Sequence, residues 1–233
     1  MATKPKSRPK VRSSKLKSKS RSESALTALG PAGVNDPLER LLHGYIDDFV
    51  IHNRAAKVIC DGMRVIGVGF RPIIDHLTFR TLDVEARAKE FLQLGYAYDD
   101  TLGVIEYENW WAKVYRKFGY PTLFIDQAYE GARGKGSLIP DWVKNFGDKT
   151  LHHIAVKVDD IEKSIFYLEK QGVPFAGNIV GDRGTDLRQI FTQPEMRRGK
   201  AFSVVELTER HRGYIGFLPP QADGLMESTR ISY

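Results

Sequence analysis

Thiols are nearly absent from this sequence. Cys60 is its one cysteine, which excludes an intramolecular disulfide and fits a reducing compartment, so a cytoplasmic location is expected. Long apolar runs are absent too. None approaches the roughly 18 consecutive apolar residues that cross a bilayer. No signal-peptide apolar region is found, and no membrane association is expected. Acidic residues are absent from the first 22 positions, which hold nine of the 35 Lys and Arg. The net charge of +6 therefore belongs to that stretch, because the remainder carries 26 basic and 29 acidic side chains, a net of −3. Apolar residues are scarce there as well, too few to offset the entropy of ordering. Residues 1–35 are expected to form a disordered, solubilising basic tail. Its contact with nucleic acid or an anionic surface would be nonspecific and is not the expected role. An organelle presequence would need an amphipathic helix, which the prolines interrupt.

What is present suffices for a core: 233 residues, 42% of them hydrophobic, fit one large domain or two small modules. In "DPLERLLHGYIDDFVIHNRAAKVI", Asp36 reads as N-cap and Pro37 as first-turn residue. Leu38, Leu41, Leu42, Tyr45 and Phe49 follow at helical spacing. This predicts one helix from about Asp36 to Val58 within an N-terminal helical segment, 36–70.

From there the chain repeats itself. "HLTFRT" after His76 parallels "HIAVKV" after His153, an offset of 77 residues. The glycines ending the two following helices, Gly95 and Gly172, keep that offset. So do the apolar faces Val84, Ala88, Phe91 and Ile161, Ile165, Leu168. Shorter β-like runs follow each helix: "YAYDD", "GVIEYENWWAKVY" and "PTLFIDQAY", then "VPFAGNIVG", "LRQIFTQP" and "AFSVVELTE". The reading is α+β: two tandem βαβββ modules, about 71–131 and 150–216, within a domain spanning 71–233 that includes a C-terminal tail. Each half-open sheet leaves a concave face uncovered, so the modules should pair and enclose a pocket, here within one chain.

The pattern of polar residues points to a metal. Period-two alternation puts His76, Thr78 and Arg80 on one strand face and His153, Ala155 and Lys157 on its counterpart. His152 falls on the opposite face, as a packing residue or a contact behind the ligand. Gln189 and Phe191 share a face, as do Val204, Glu206 and Thr208. Glu206 in the apolar "FSVVEL" would be costly to bury without a cation. Two histidines and a carboxylate converging on a pocket match the triad of non-haem Fe(II) oxygenases. A Zn2+, Ni2+ or Mn2+ site could use the same donors. The repeat also sets Asp126 where the second module has Glu206. Alternation admits only one of Trp110 and Trp111 inward.

These residues resemble the vicinal oxygen chelate (glyoxalase/extradiol dioxygenase) superfamily, and within it the catalytic half of 4-hydroxyphenylpyruvate dioxygenase. "IIDHLTF" is similar to that enzyme's first metal-histidine strand. "GSLIPDWVKNFGDKTLHHIAVKVDDI" resembles its S-x-I-x-x-F-x-x-x-x-G segment with Q-H-I-A-L. "LRQIFTQP" resembles L-Q-I-F-T-K-P, and "FSVVELTER" resembles its carboxylate-ligand strand. The resemblance covers about Pro72 to Gly216. It implies His76, His153 and Glu206 as iron ligands, Gln189 at the substrate pocket, and Asp126 where that family has a substrate-facing asparagine. A second resemblance, to the 2-oxoadipate dioxygenase/decarboxylase family, rests on His76 and Arg80 at its histidine–arginine spacing; it implies that Arg80 binds a substrate carboxylate. The expected function is an Fe(II) dioxygenase acting on a 2-oxo acid and O2. A glyoxalase-like lyase or isomerase, with Asp126 as fourth ligand, and a noncatalytic ligand-binding protein are the alternatives. The resemblance further implies that "GYIGFLPPQADGLMEST" is a lid; a surface-packed terminus reads equally well.

Overall fold

A computed structural model of the chain describes residues 36–229. The basic tail, and the disorder expected of it, lie outside the described residues. Helix α1 (Pro37–His52) starts as expected, with Asp36 Oδ1 accepting from the Leu38 amide at 2.9 Å. The predicted single helix is in fact two. It breaks at Asn53, whose backbone is extended and whose Oδ1 caps α2 (Arg54–Val65) by accepting from Ala56 N. Asparagine competes with the helical backbone for hydrogen bonds. Here its Nδ2 also reaches Ser203 Oγ at 3.1 Å, 150 residues away, which ties the break to the sheet.

The first module runs β1 (Ile74–Arg80), α3 (Val84–Gln93), β2 (Ala97–Tyr98), β3 (Ile105–Glu106), β4 (Trp110–Arg116) and β5 (Thr122–Ala128). Helix α4 (Ile139–Phe146) connects to the second: β6 (Leu151–Lys157), α5 (Ile161–Lys170), β7 (Phe175–Val180), β8 (Leu187–Thr192), β9 (Glu195–Arg197) and β10 (Lys200–Arg210). Helix α6 (Pro219–Ser228) closes the described chain. The repeat extends to fine detail. Asp83 and Asp160, 77 residues apart, cap α3 and α5 with nearly identical backbone angles. Gly95 and Gly172 leave those helices at positive φ, where a Cβ would be strained.

All ten strands join one sheet, ordered β2-β4-β5-β1-β6-β10-β8-β7, with β3 and β9 paired to β4 and β10. The modules meet where β1 and β6 pair antiparallel, flanked by the parallel pairs β1–β5 and β6–β10. The expected pairing of two βαβββ modules is borne out. Alternation divides the central strands. Leu77, Phe79, Ile125, Ile154 and Val205 point into the main core with Leu42 and Ile46 of α1 and Phe91 of α3. The opposite face carries the polar residues His76, Thr78, Arg80, His153 and Glu206, all buried.

Candidate metal centre

His76, His153 and Glu206 converge from β1, β6 and β10. The two Nε2 atoms are 3.2 Å apart. Glu206 Oε2 lies 3.3 Å from His153 Nε2 and 3.6 Å from His76 Nε2. Donor atoms bound to one ion at about 2.0–2.2 Å stand roughly 3.0–3.6 Å from one another, so the triangle fits a metal ion.

Each member turns one donor atom inward, because its other polar atom is held from behind. Glu206 Oε1 accepts from Gln189 Nε2 and Thr208 Oγ1, both at 2.5 Å. His76 Nδ1 donates to Asp75 Oδ2 at 2.8 Å, and Arg210 clamps Asp75 with two bonds of 2.9 Å. His153 Nδ1 lies 3.0 Å from His152 Nδ1. Burial, Arg80 and His153 hold the His152 pKa well below its ordinary value. His152 is therefore neutral, and the tautomer in which its Nδ1 accepts from the His153 Nδ1–H is the one that leaves His153 Nε2 with its lone pair inward. The Thr78 hydroxyl, 2.8 Å away, donates to that lone pair.

The electrostatics follow from proximity. Burial opposes charge on Glu206, yet His76 and His153 outweigh it and keep the carboxylate ionised, its pKa well below the usual value. Burial likewise opposes protonation of His76, but Glu206 and Asp75 raise it to about 8. For His153 burial prevails over Glu206 and brings the pKa to about 4.

Two β-bulges build these supports. In β1, Asp75 is the extra residue between the pairs Ile74–Val156 and His76–Ala155; in β6, His152 is the extra residue between Thr78–His153 and Phe79–Leu151. Each bulge sets the residue before a histidine against that histidine's Nδ1. The expectation that His152 faces away from His153 is thus corrected: both line one cavity. A bulge interrupts the period-two rule from which the opposite face was read.

The placement of Asp126 is corrected as well. Thr78 pairs with Phe124 as its repeat equivalent Ala155 pairs with Glu206. Phe124, not Asp126, thus occupies the position equivalent to Glu206. Asp126 is one pleat further along, in register with Arg80, and is not one of the converging donors. Arg80 and Asp126 both line the cavity. Burial lowers Arg80 to about 10 and raises Asp126 to about 7, each shift partly offset by the other's charge.

Aromatic rings wall the cavity. Phe217 meets His76 edge-on at 5.1 Å, Phe191 lies 5.1 Å from His153, and Trp110 is the inward-facing tryptophan of its pair. Helix α6 lies over the cavity through Leu225 and Met226, and Asp223 accepts from Trp110 Nε1 at 3.0 Å. The space enclosed is about 40 Å³.

No family model matches the chain, and no curated protein matches it. Solved structures do. A hydroxyglutarate synthase from Oryza sativa, in complex with 2-oxoadipate, aligns with a TM-score of 0.64 and 17% identity, over 91% of this chain and 97% of that one. A glyoxalase-superfamily protein from Ralstonia eutropha aligns with a TM-score of 0.59 and 13% identity, over 76% and 84%. The fold is that of the glyoxalase, or vicinal oxygen chelate, superfamily. A variant of 4-hydroxymandelate synthase from Streptomyces coelicolor shares this vicinal oxygen chelate architecture, with a TM-score of 0.51 and 20% identity. The alignment covers 69% of this chain and 54% of that one.

Within that fold, three residues now seen behind the donors had no assigned part in the sequence reading: Asp75, Thr208 and Arg210. A signal existed for Thr208, which shares the Glu206 strand face. Asp75 gave none, because its role depends on the bulge.

Proposed function

We propose that the protein is an Fe(II)-dependent dioxygenase acting on a 2-oxo acid. The observation that carries this reading is the donor set: two imidazole nitrogens and one carboxylate oxygen, each the atom its side chain turns toward a common point, on one side of an aromatic-walled cavity. That set suits an ion that must keep positions open for substrate and O2. Bound Fe(II) would supply those positions and activate O2; decarboxylation of the 2-oxo acid would supply two of the four electrons, one oxygen atom entering the new carboxylate, and insertion of the other oxygen atom into a C–H bond of the same substrate would supply the remaining two. His76, His153 and Glu206 would hold the ion. Asp75, His152, Gln189 and Thr208 fix the direction of the donors, which sets metal affinity. Phe124, Phe191 and Phe217 keep bulk water away from the reacting atoms, and Arg80 orients the far end of the substrate. The solved relative with 2-oxoadipate in its structure supports the substrate class. The lyase or isomerase alternative needs a fourth protein donor, and Phe124 stands at the position that would supply it.

The test is anaerobic purification with metal analysis, then oxygen-uptake assays across 2-oxo acids. Iron in the protein, with CO2 release coupled to O2 uptake, is the expected result. His76→Ala, His153→Ala and Glu206→Ala should each lose the metal while keeping the fold. Zn2+ or Ni2+ with no oxygen uptake would favour the lyase or isomerase. No metal at all would leave a ligand-binding protein.

A further inference from the structure

Arg80 and Asp126 are both almost fully buried, at 3% and 2% exposure, on neighbouring strands in register. They are not well paired. The nearest approach, Arg80 Nε to Asp126 Oδ2, is 4.0 Å, beyond hydrogen-bond range. Arg80 Nε and Asp126 Oδ1 have no hydrogen-bond partner. The hydrogen-bond partner of Arg80 Nη2 is the Met226 thioether, at 2.7 Å, a weak acceptor, and the guanidinium lies 5.8 Å from the Trp142 ring centre, which accepts no directed bond from Nε. Buried polar groups are normally satisfied, and each exception calls for an explanation. Here an unmet donor and an unmet acceptor line the same cavity as the three metal-ligand candidates.

The two orphans ask for one kind of partner. It must accept from the guanidinium and donate to the carboxylate. A hydroxyl or a primary carboxamide does both. With Asp126 ionised, above its value of about 7, a carboxylate only accepts: it can pair with Arg80, but it leaves Asp126 Oδ1 unmet and sets two anions against one cation. An alkyl end meets neither. We propose that Arg80 and Asp126 form a donor–acceptor clamp selecting 2-oxo acids whose far end is a neutral hydroxyl or carboxamide over those ending in a second carboxylate. This rests on the 2-oxo acid reading of the site and narrows it: Arg80 is part of a charge-compensated pair, not a lone cation awaiting an anion.

The experiment is calorimetric binding at about pH 8.5, where Asp126 with its value of about 7 is ionised, to the full chain loaded with Fe(II) without oxygen, so that no turnover occurs. The probes are five- and six-carbon 2-oxo acids ending in CH2OH, CONH2, COO− or CH3, with pyruvate as the head group alone. The expected order places the hydroxyl and carboxamide about tenfold or more tighter than the carboxylate, the size of one well-made buried hydrogen bond. Asp126→Asn should reverse that order, because its amide can donate to a carboxylate while Arg80 keeps its charge. If pyruvate binds but the carboxylate probe is tightest in the wild type, the clamp is overturned and the 2-oxo acid reading stands. An order unchanged in Asp126→Asn overturns it likewise. If neither pyruvate nor any longer probe binds, the 2-oxo acid reading falls and the clamp falls with it. The wild-type order decides alone should the variant not fold.

Discussion

At the scale of single residues, the centre is held by side chains that grip the donors from behind or beside. Glu206 Oε1 is occupied by Gln189 and Thr208, so the carboxylate cannot swing to offer both oxygens. Replacing Gln189 with leucine removes one of those bonds and should lower metal affinity about tenfold to a hundredfold, the usual cost of losing such a support. His152→Leu should cost about as much, whereas His152→Gln, whose amide oxygen can still accept from His153 Nδ1, should recover most of the loss. Competitive titration with a metal indicator measures both. Equal affinity in His152→Leu and wild type would mean that the contact orients nothing. His76, His153 and Glu206 were legible because a repeat offset and an apolar strand make their placement non-random. The contact of His152 behind His153 was read as one of two roles, but the face it lies on was not, because one bulged residue shifts the alternation and the local sequence carries no sign of it. The misplacement of Asp126 has another origin, because neither the β1–β5 nor the β6–β10 pairing is bulged. The intervals from His76 to Asp126 and from His153 to Glu206 differ, 50 against 53 residues. Only interstrand pairing shows which residue is the true counterpart.

At the scale of elements, the Asp36 cap and the glycines ending α3 and α5 were read well because one residue decides each. Asp36, Asp83 and Asp160 each start a helix by accepting from a backbone amide two or three residues on. The break at Asn53 escaped because its reward is distant, on β10. The docking of α5 is similarly nonlocal. Arg188, buried on β8, donates to Glu162 on α5 and to Glu209 on β10, and Glu209 Oε2 accepts from the Ile161 amide at the helix start. Arg188→Met leaves Glu209 buried without its cation and should lower stability by about 2 kcal/mol in denaturant titration. The same arginine's hydrogen bond depresses Glu162 to about 2 from an ordinary 4.5. A carboxyl depressed on folding stabilises above its unfolded value and loses that contribution as pH falls. The wild type should thus lose stability between about pH 4.5 and 2 through this contact. The variant should show a shallower decline over that interval. Parallel slopes in the two proteins would show that Arg188 does not govern Glu162.

At the scale of the whole molecule, two near-equivalent modules make an asymmetric chamber. The β1–β6 seam brings the histidines together, but only the second module supplies a carboxylate; the first supplies Phe124. That asymmetry leaves one side of the donor triangle walled by rings and α6. The 40 Å³ of free space holds no more than a few water molecules, so an organic acid fits only if a wall moves. Two walls are candidates. One is α6, held by Leu225, Met226 and the Asp223–Trp110 bond. The other is the partition formed by Arg80 and His152, which also line a separate cavity of about 200 Å³. Its aromatic lining includes Trp142, Phe146 and Phe202, and the Lys200–Asp141 ion pair belongs to its more exposed rim. Arg80 and His152 are both buried and packed against Trp142, whereas α6 contributes only two buried side chains to the apolar clusters, so α6 is the wall that yields at lower cost. Truncation after Leu218 should then leave the sheet folded and metal affinity little changed, while a chelator strips the metal about tenfold faster, because opening no longer has to undo the burial of those side chains. An unchanged stripping rate in the truncated protein would place the route through Arg80 and His152 instead. In that case Ala201→Trp, which fills the second cavity, should be the variant that slows exchange.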